Sequence, residues 1–299
     1  MANKNHIKMS KGDRIFTVIN YIYLTIAMLI VLYPLVFIVS ASFSSATAVQ
    51  ANRVWLYPVE PSLLGYTTAL KHPDIISGFL NSIKVTALGT LTNITLTMLV
   101  AYPLSIRGLW GKTVLTWLWT FTMLFSGGLI PLYLVIVKLG LYNTHTALFL
   151  PAAVSIYNMI IARTYLQSSI PYDMYESATL DGCSDFRYFL QFALPLSKSI
   201  IAVLVLYYAV GHWNGYFAAM IYLSDKSKFT LQQILRNIII QNTIDPTQMV
   251  GVDELLRKQG LKDLLKYSLV VVSTVPMMCV YPFVQKHFVK GVMIGSIKG

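Results

Sequence analysis

Residues 169–196, SIPYDMYESATLDGCSDFRYFLQFALPL, lie between two strongly apolar segments, yet they hold Asp173, Glu176, Asp181, Asp185 and Arg187. Four of the chain's twelve acidic residues fall in this stretch. A carboxylate held in hydrocarbon costs on the order of 2.5–3.5 kcal/mol on insertion scales. If the flanking segments cross a membrane, the stretch between them must emerge on one face. Its own pattern predicts structure. Pro171 suits a helix start, where its missing N–H is one of the orphan donors. Residues 172–181 contain no breaker, and Gly182 stands where a helix takes a left-handed C-terminal residue. Ser184 or Asp185 caps a second short helix, and Pro195 marks the return to apolar sequence. Two short helices joined by a glycine on a membrane face read either as a docking element or as an ordinary helical loop.

Composition supports the membrane reading. The chain has 299 residues, 56% of them hydrophobic and 12% charged, with a mean hydropathy of +0.61. Soluble chains are about 25% charged. The expected class is therefore an all-α polytopic membrane protein. A formal net charge of +11 raises nucleic acid as a partner. That is rejected, because many basic residues flank apolar runs, the arrangement that sets membrane orientation. Cys183 and Cys279 imply no disulfide framework. The five histidines form no metal-ligand spacing, and no catalytic constellation lies in or near the apolar runs. No phosphate-binding loop of the Walker type is present, so any coupling to ATP requires a separate subunit.

Taken in order, residues 1–15 form a basic cytoplasmic tail and residues 16–40 a first span. That run exceeds the 7–15 residues of a signal-peptide core. A proline-rich external loop follows. Further spans are expected at about 79–105, 114–137, 146–167, 200–223 and 267–284, with residues 285–299 as a cytoplasmic tail. The second span carries Thr90, Thr92, Asn93, Thr95 and Thr97, so it should face other helices rather than lipid. The third is interrupted by Ser126, Gly127, Gly128 and Pro131, a break tolerated only where it packs in protein or lines a cavity. Residues 224–266 read as a long external polar segment. Six spans put both termini in the cytoplasm, in accord with the basic residues of the shorter loops.

Glu176, Ser177 and Ala178, then Asp181 and Gly182, then Leu194 and Pro195 resemble the "EAA…G…LP" loop of bacterial ABC importer permeases. Ser177 stands in place of the second alanine. Residues 127–131 (GGLIP), 139–144 (LGLYNT), Leu150-Pro151, Trp213-Asn214 and the ending from Lys290 resemble the carbohydrate-uptake branch. The similarity is to its smaller maltose-permease type (MalG-like, LplC-type subgroup) and covers nearly the whole chain. The resemblance implies a type I ABC importer permease fold in which residues 169–196 are the cytoplasmic coupling-helix loop. It also implies partners: a second permease subunit in a heterodimer, two ATPase subunits that bind ATP and magnesium, and an external lipoprotein or solute-binding protein that delivers oligosaccharide. The chain itself would bind no cofactor and catalyse no reaction. Glu176 would contact an ATPase arginine and Gly182 would set the angle of the loop. Gly295, Lys298 and Gly299 would reach the ATPase interface. Trp213 and Asn214, with Gly127 and Gly128 in the broken span, are candidates for the sugar pathway, since a ring face plus an amide suits sugar C–H patches and hydroxyls.

Two other classes of transporter share part of this pattern. A secondary transporter or channel predicts acidic residues inside spans, and none falls in an assigned span. A permease for peptides, amino acids or phosphate shares the coupling loop and differs only in the carbohydrate-branch stretches.

Overall fold

The computed structural model describes residues 10–71, 73–241 and 252–296, and among them every regular element is helical. Contacts divide the chain into two compact units.

The first unit comprises the chain up to Lys71 together with residues 244–272. It opens with α1 (Lys11–Ser42). The Ser10 hydroxyl accepts the Asp13 N–H at 3.1 Å, and the Asp13 carboxylate accepts the Ser10 N–H at 3.2 Å, a reciprocal cap of two orphan donors. At 1.5 Å per residue α1 is about 48 Å long, ample for a hydrocarbon core of about 30 Å. Ile22, Leu24, Ile26, Leu29 and Ile30 are all more than half exposed. An apolar surface on every side of a helix is the mark of a membrane span. Next come α2 (Ala46–Gln50), capped by Ser45, and α3 (Leu64–Lys71). Between them Arg53 pairs with Glu60 at 2.8 Å. Hydrogen bonds from Ser45 and then Arg53 hold the Glu60 carboxyl below its usual range. The α3 helix packs through Gly65 on Leu264 and Ser268. Those residues belong to the last helix of the chain, Val252–Ser296, whose Tyr267 meets Phe37 edge-on at 5.6 Å.

The second unit is organised on α4 (Pro73–Ser105). It continues through α5 (Lys112–Leu124), α6 (Leu129–Lys138), α7 (Ile156–Ser169), α8 (Tyr172–Leu180), α9 (Asp185–Tyr188) and α10 (Leu194–Leu196). After these come α11 (Lys198–Asn214), α12 (Phe217–Tyr222) and α13 (Leu231–Gln241); the helix Val252–Ser296 is α14, and its residues from Ser273 onward belong here. The core of this unit brings α4 (Met98, Ala101, Tyr102), α7 (Met159, Ala162, Leu166) and α11 (Ile200, Leu204, Tyr208) together. Polar residues of α4 face α11, as their buried share requires. Thr90, Asn93 and Thr97 are buried. The Thr97 hydroxyl meets the Tyr208 hydroxyl at 2.6 Å, and Asn93 Nδ2 meets His212 Nε2 at 3.1 Å. Thr95 instead is exposed and returns its hydroxyl to the Leu91 carbonyl.

The expected spans correspond unevenly to helices. Lys11–Ser42, Pro73–Ser105 and Gly260–Pro282 are each long and apolar enough to cross a membrane. The third expected span is a bent pair: α5 and α6 turn through 111° at residues 125–128, where Gly128 takes φ +90°. The fourth is not one helix over 146–167. A 3₁₀ turn (His145–Leu148) gives way to irregular chain, and α7 starts only at Ile156. Pro151 disfavours helix in the residue before it and lacks a donor, and Ser155 caps the new start. At about 21 Å, α7 alone falls short of the hydrocarbon thickness. The fifth, expected at 200–223, ends at Asn214 and resumes as α12. A Cβ at Gly215 would sit 3.2 Å from the Gly211 carbonyl oxygen. Residues 224–266, expected as a polar loop, contain α13 and the start of α14, which runs on past 284 into the expected tail.

Candidate functional site

The loop of residues 169–196 is built by local rules. Pro171 precedes α8, Gly182 takes φ +77°, and the Ser184 carbonyl accepts the Tyr188 N–H in the first turn of α9. The chain then winds through a π-helical turn (Phe189–Ala193) into α10, and Pro195 stands in the first turn of α10. The inner face of α8 carries Tyr172, Tyr175 and Ala178 at helical spacing. Tyr175 and Ala178 pack on the core formed by α4, α7 and α11.

An aromatic brace fixes the two short helices to each other. Tyr175 meets Tyr172 at 5.7 Å and Tyr188 edge-on at 5.2 Å, and Tyr188 stacks on Phe192 at 5.2 Å. The Tyr175 hydroxyl donates to Asp185 Oδ1 at 2.7 Å. That bond, then burial, then the Asp185 charge raise the Tyr175 hydroxyl above the usual tyrosine range. Tyr102 on α4 donates to the Asp185 carbonyl at 3.2 Å. The Arg107 guanidinium lies 4.7 Å above the Tyr172 ring. The loop is thus tied at α9 to α4 and at α8 to the turn that follows α4.

The outer face is open. Glu176, Ser177, Asp181 and Gly182 are exposed. Leu180 is 89% exposed and Phe186 64%. Large apolar side chains beside carboxylates, on a helix whose other face packs half-buried on the core, make a surface suited to a protein partner. Leu194 packs against the core, while Pro195 is exposed.

The other expected site residues scatter. Gly127 and Gly128 occupy the break between α5 and α6, in open space apart from Pro131. Trp213 is 4% exposed; its indole N–H donates to the Ser273 carbonyl at 2.8 Å, and its ring meets Phe79 edge-on at 5.7 Å. It is a packing residue with its polar atom already satisfied. Its neighbour Asn214 is exposed. Gly295 lies in the last turns of α14, and Lys298 and Gly299 lie outside the described residues. Sequence reasoning missed the Tyr172–Tyr175–Tyr188 brace, although tyrosines three apart on a predicted helix signal a shared face. Among the described residues no cluster of His, Cys, Asp or Glu could hold a metal ion.

Residues 6–294 match the family described as binding-protein-dependent transport system inner membrane component. Protein LplC of Bacillus subtilis (strain 168) is 37% identical over 300 residues, covering all of both chains. The polygalacturonan/rhamnogalacturonan transport system permease protein YtcP of the same organism is 38% identical over 292 residues, 96% of this chain and 99% of that one. The crystal structure of a bacterial ABC transporter involved in the import of the acidic polysaccharide alginate superposes with a TM-score of 0.86 at 32% identity, covering 95% of this chain and 100% of that one. With a helical membrane fold, an exposed braced loop and full-length similarity all in agreement, the chain belongs to the binding-protein-dependent inner membrane components, the permeases of ABC importers.

Proposed function

We propose that this chain is one permease subunit of an ATP-driven importer that carries oligosaccharides handed over by an external solute-binding protein. The observation that carries the reading is full-length similarity to permeases named for polysaccharide transport, joined to the exposed outer face of α8 and α9. A second permease completes the pathway. Two ATPase subunits bind ATP and magnesium, and one of them docks on the loop. Both termini lie on the loop's side of the membrane, in the cytoplasm, as the basic residues of the short loops favour.

In this reading the loop transmits force because it is stiff. Closure of the ATPase pair moves α8 through Glu176 and Leu180. The Tyr175–Asp185 bond and the ring contacts carry that motion to α4 and α11, whose shared core switches the pathway between its two faces. Ser177 keeps the helix slim at the contact, Ala178 lets α8 sit close on the core, and Gly182 sets the angle at which α9 leaves. Trp213 supports the wall of the pathway rather than touching sugar, and Asn214 is the exposed polar candidate beside it.

The test is co-expression of this chain with its partner permease and ATPase subunits. The ATPase is expected to co-purify with the wild-type chain and to be lost from the Glu176→Lys/Gly182→Asp double variant. Equal retention by both would refute docking on this loop. Transport assays with the binding protein and defined oligosaccharides then read the substrate, and uptake of peptides in their place would overturn the sugar assignment.

A further inference from the structure

The turn between α4 and α5 gathers positive charge that no described carboxylate meets. Arg107 is exposed above the Tyr172 ring. Lys112 Nζ donates to the Ile106 carbonyl at 2.9 Å, and Arg163 on α7 donates through Nε to the Leu104 carbonyl at 3.0 Å. Arg107 and Arg163 both act electrostatically on the Lys112 ammonium. Among the described residues no acidic group lies within 4 Å of any of the three. Helix capping explains part of this. The last carbonyls of α4 are orphan acceptors bearing roughly half a negative charge in all, and Lys112 and Arg163 neutralise that end. Three cations against about half a negative charge leave a large positive excess. The rest of the Lys112 ammonium and the Nη groups of Arg163 remain able to donate.

Two features beside the cluster say what meets that excess. Trp110, between Arg107 and Lys112, is 95% exposed, and an exposed tryptophan next to a membrane helix sits at the headgroup layer. Directly beyond Lys112, Thr113, Val114, Trp117, Leu118 and Phe121 line an open groove of about 360 Å³ along α5. Its side chains are apolar apart from Thr113. Basic pockets between membrane helices take anionic lipid headgroups. A soluble phosphate or an acidic protein segment would answer the cations but leave the groove bare. A molecule with an anionic end and an apolar chain answers both.

We propose that this turn binds one anionic phospholipid, its phosphate between Arg107, Lys112 and Arg163 and one acyl chain along α5. The bound lipid then lies one aromatic ring away from α8, because Arg107 stacks on the first residue of that helix. The site stands on the turn's own geometry and not on the identity of the transported solute.

The test uses the full chain, purified in detergent, stripped of lipid and mixed with phosphatidylglycerol or phosphatidylcholine. Native mass spectrometry counts the lipid retained, and a phosphatidylglycerol with a photoactivatable chain maps the contact. One phosphatidylglycerol should be retained at least fivefold better than phosphatidylcholine, with crosslinks within residues 113–121. Arg107→Gln should weaken retention roughly fivefold and Arg107→Gln/Lys112→Gln roughly thirtyfold. Arg107 caps no carbonyl in the fold described, so its replacement tests the site without risking the end of α4. Equal retention of the two lipids, crosslinks away from α5, or full displacement by millimolar inorganic phosphate without chain contacts would each overturn the proposal. The last of these would assign the cations to a soluble phosphate. Co-purification of the ATPase with the wild-type chain, scored in parallel, separates failure of this site from failure of the docking reading.

Discussion

The α4 helix passes α11 closely at Gly89, and that contact yields the sharpest test of the packing. A Cβ at Gly89 would lie 2.7 Å from His212 Nε2, 2.9 Å from Cδ2 and 3.0 Å from Cε1. The ring is not free to retreat. Its Nε2 is hydrogen-bonded to Asn93 Nδ2 at 3.1 Å, and its face meets Phe149 edge-on at 6.5 Å. Gly89→Ala must therefore part the helices or push the ring. Parting them is overpacking, at about 1–3 kcal/mol. Pushing the ring also strips Asn93 Nδ2 of its partner, and Asn93 Oδ1 already has none, which adds about 1–3 kcal/mol. We expect a net loss of about 1–3 kcal/mol, because the chain takes the cheaper route and pushing the ring costs more. The assay is equilibrium unfolding of the full chain in mixed micelles. His212→Ala removes the obstructing ring at its own cost, and Gly89→Ala then fits the space. The double variant should be more stable than the sum of the two single effects predicts, by at least about 1 kcal/mol. A Gly89→Ala chain within about 0.5 kcal/mol of wild type, or additive single effects, would refute the reasoning.

Three further outcomes are expected. Tyr175→Phe keeps the ring brace and removes only the hydroxyl that donates to Asp185. It should cost about 0.5–1 kcal/mol after allowing for solvent and lower substrate-stimulated ATPase activity of the assembled importer, and unchanged activity would count against a stiff loop. Because the folded state raises the Tyr175 titration, this bond's contribution is whole below the ordinary tyrosine value of 10.0 and fades as pH climbs through the higher folded value; tyrosine absorbance titrations of wild type and Tyr175→Phe should differ in that alkaline window. Asn143, at φ +58°, accepts the Ser224 and Asp225 N–H groups through Oδ1 at 3.2 and 3.1 Å; Asn143→Ala should speed hydrogen exchange of those amides by about tenfold or more, while Asn143→Asp, which keeps the acceptor, should stay near wild type. Trp213→Phe should lower stability by about 1–2 kcal/mol through loss of the bond to Ser273 yet leave the KM for transported sugar unchanged, and a raised KM would return Trp213 to the sugar pathway.

The parts of this fold that follow from short-range chemistry were legible in the sequence. Pro171 and Gly182 act within one turn of themselves, so α8 and its left-handed exit could be placed without knowing what they pack on; Ser184 does stand at the start of α9, but its side chain makes no capping hydrogen bond there. The glycine pair before Pro131 marked the bend between α5 and α6 for the same reason. Longer-range features were not legible. The break before α7 depends on Pro151 in a run whose hydropathy alone reads as continuous. Residues 224–266 read as loop because polar residues were counted rather than spaced. Yet Leu231, Ile234 and Leu235 are buried in α13, at the three- and four-residue spacing of a helix with one apolar face. Trp213 and Asn214 show a third kind of limit. As a dipeptide they offer a ring and an amide, the chemistry a sugar needs. On a helix, neighbours point about 100° apart, so one cavity cannot readily receive both. The structure buries Trp213 against Phe79 and leaves Asn214 exposed. If this region touches sugar, the contact must come from Asn214 and residues three and seven positions before it on the same face of α11, Gly211 and Tyr207, rather than from the adjacent ring.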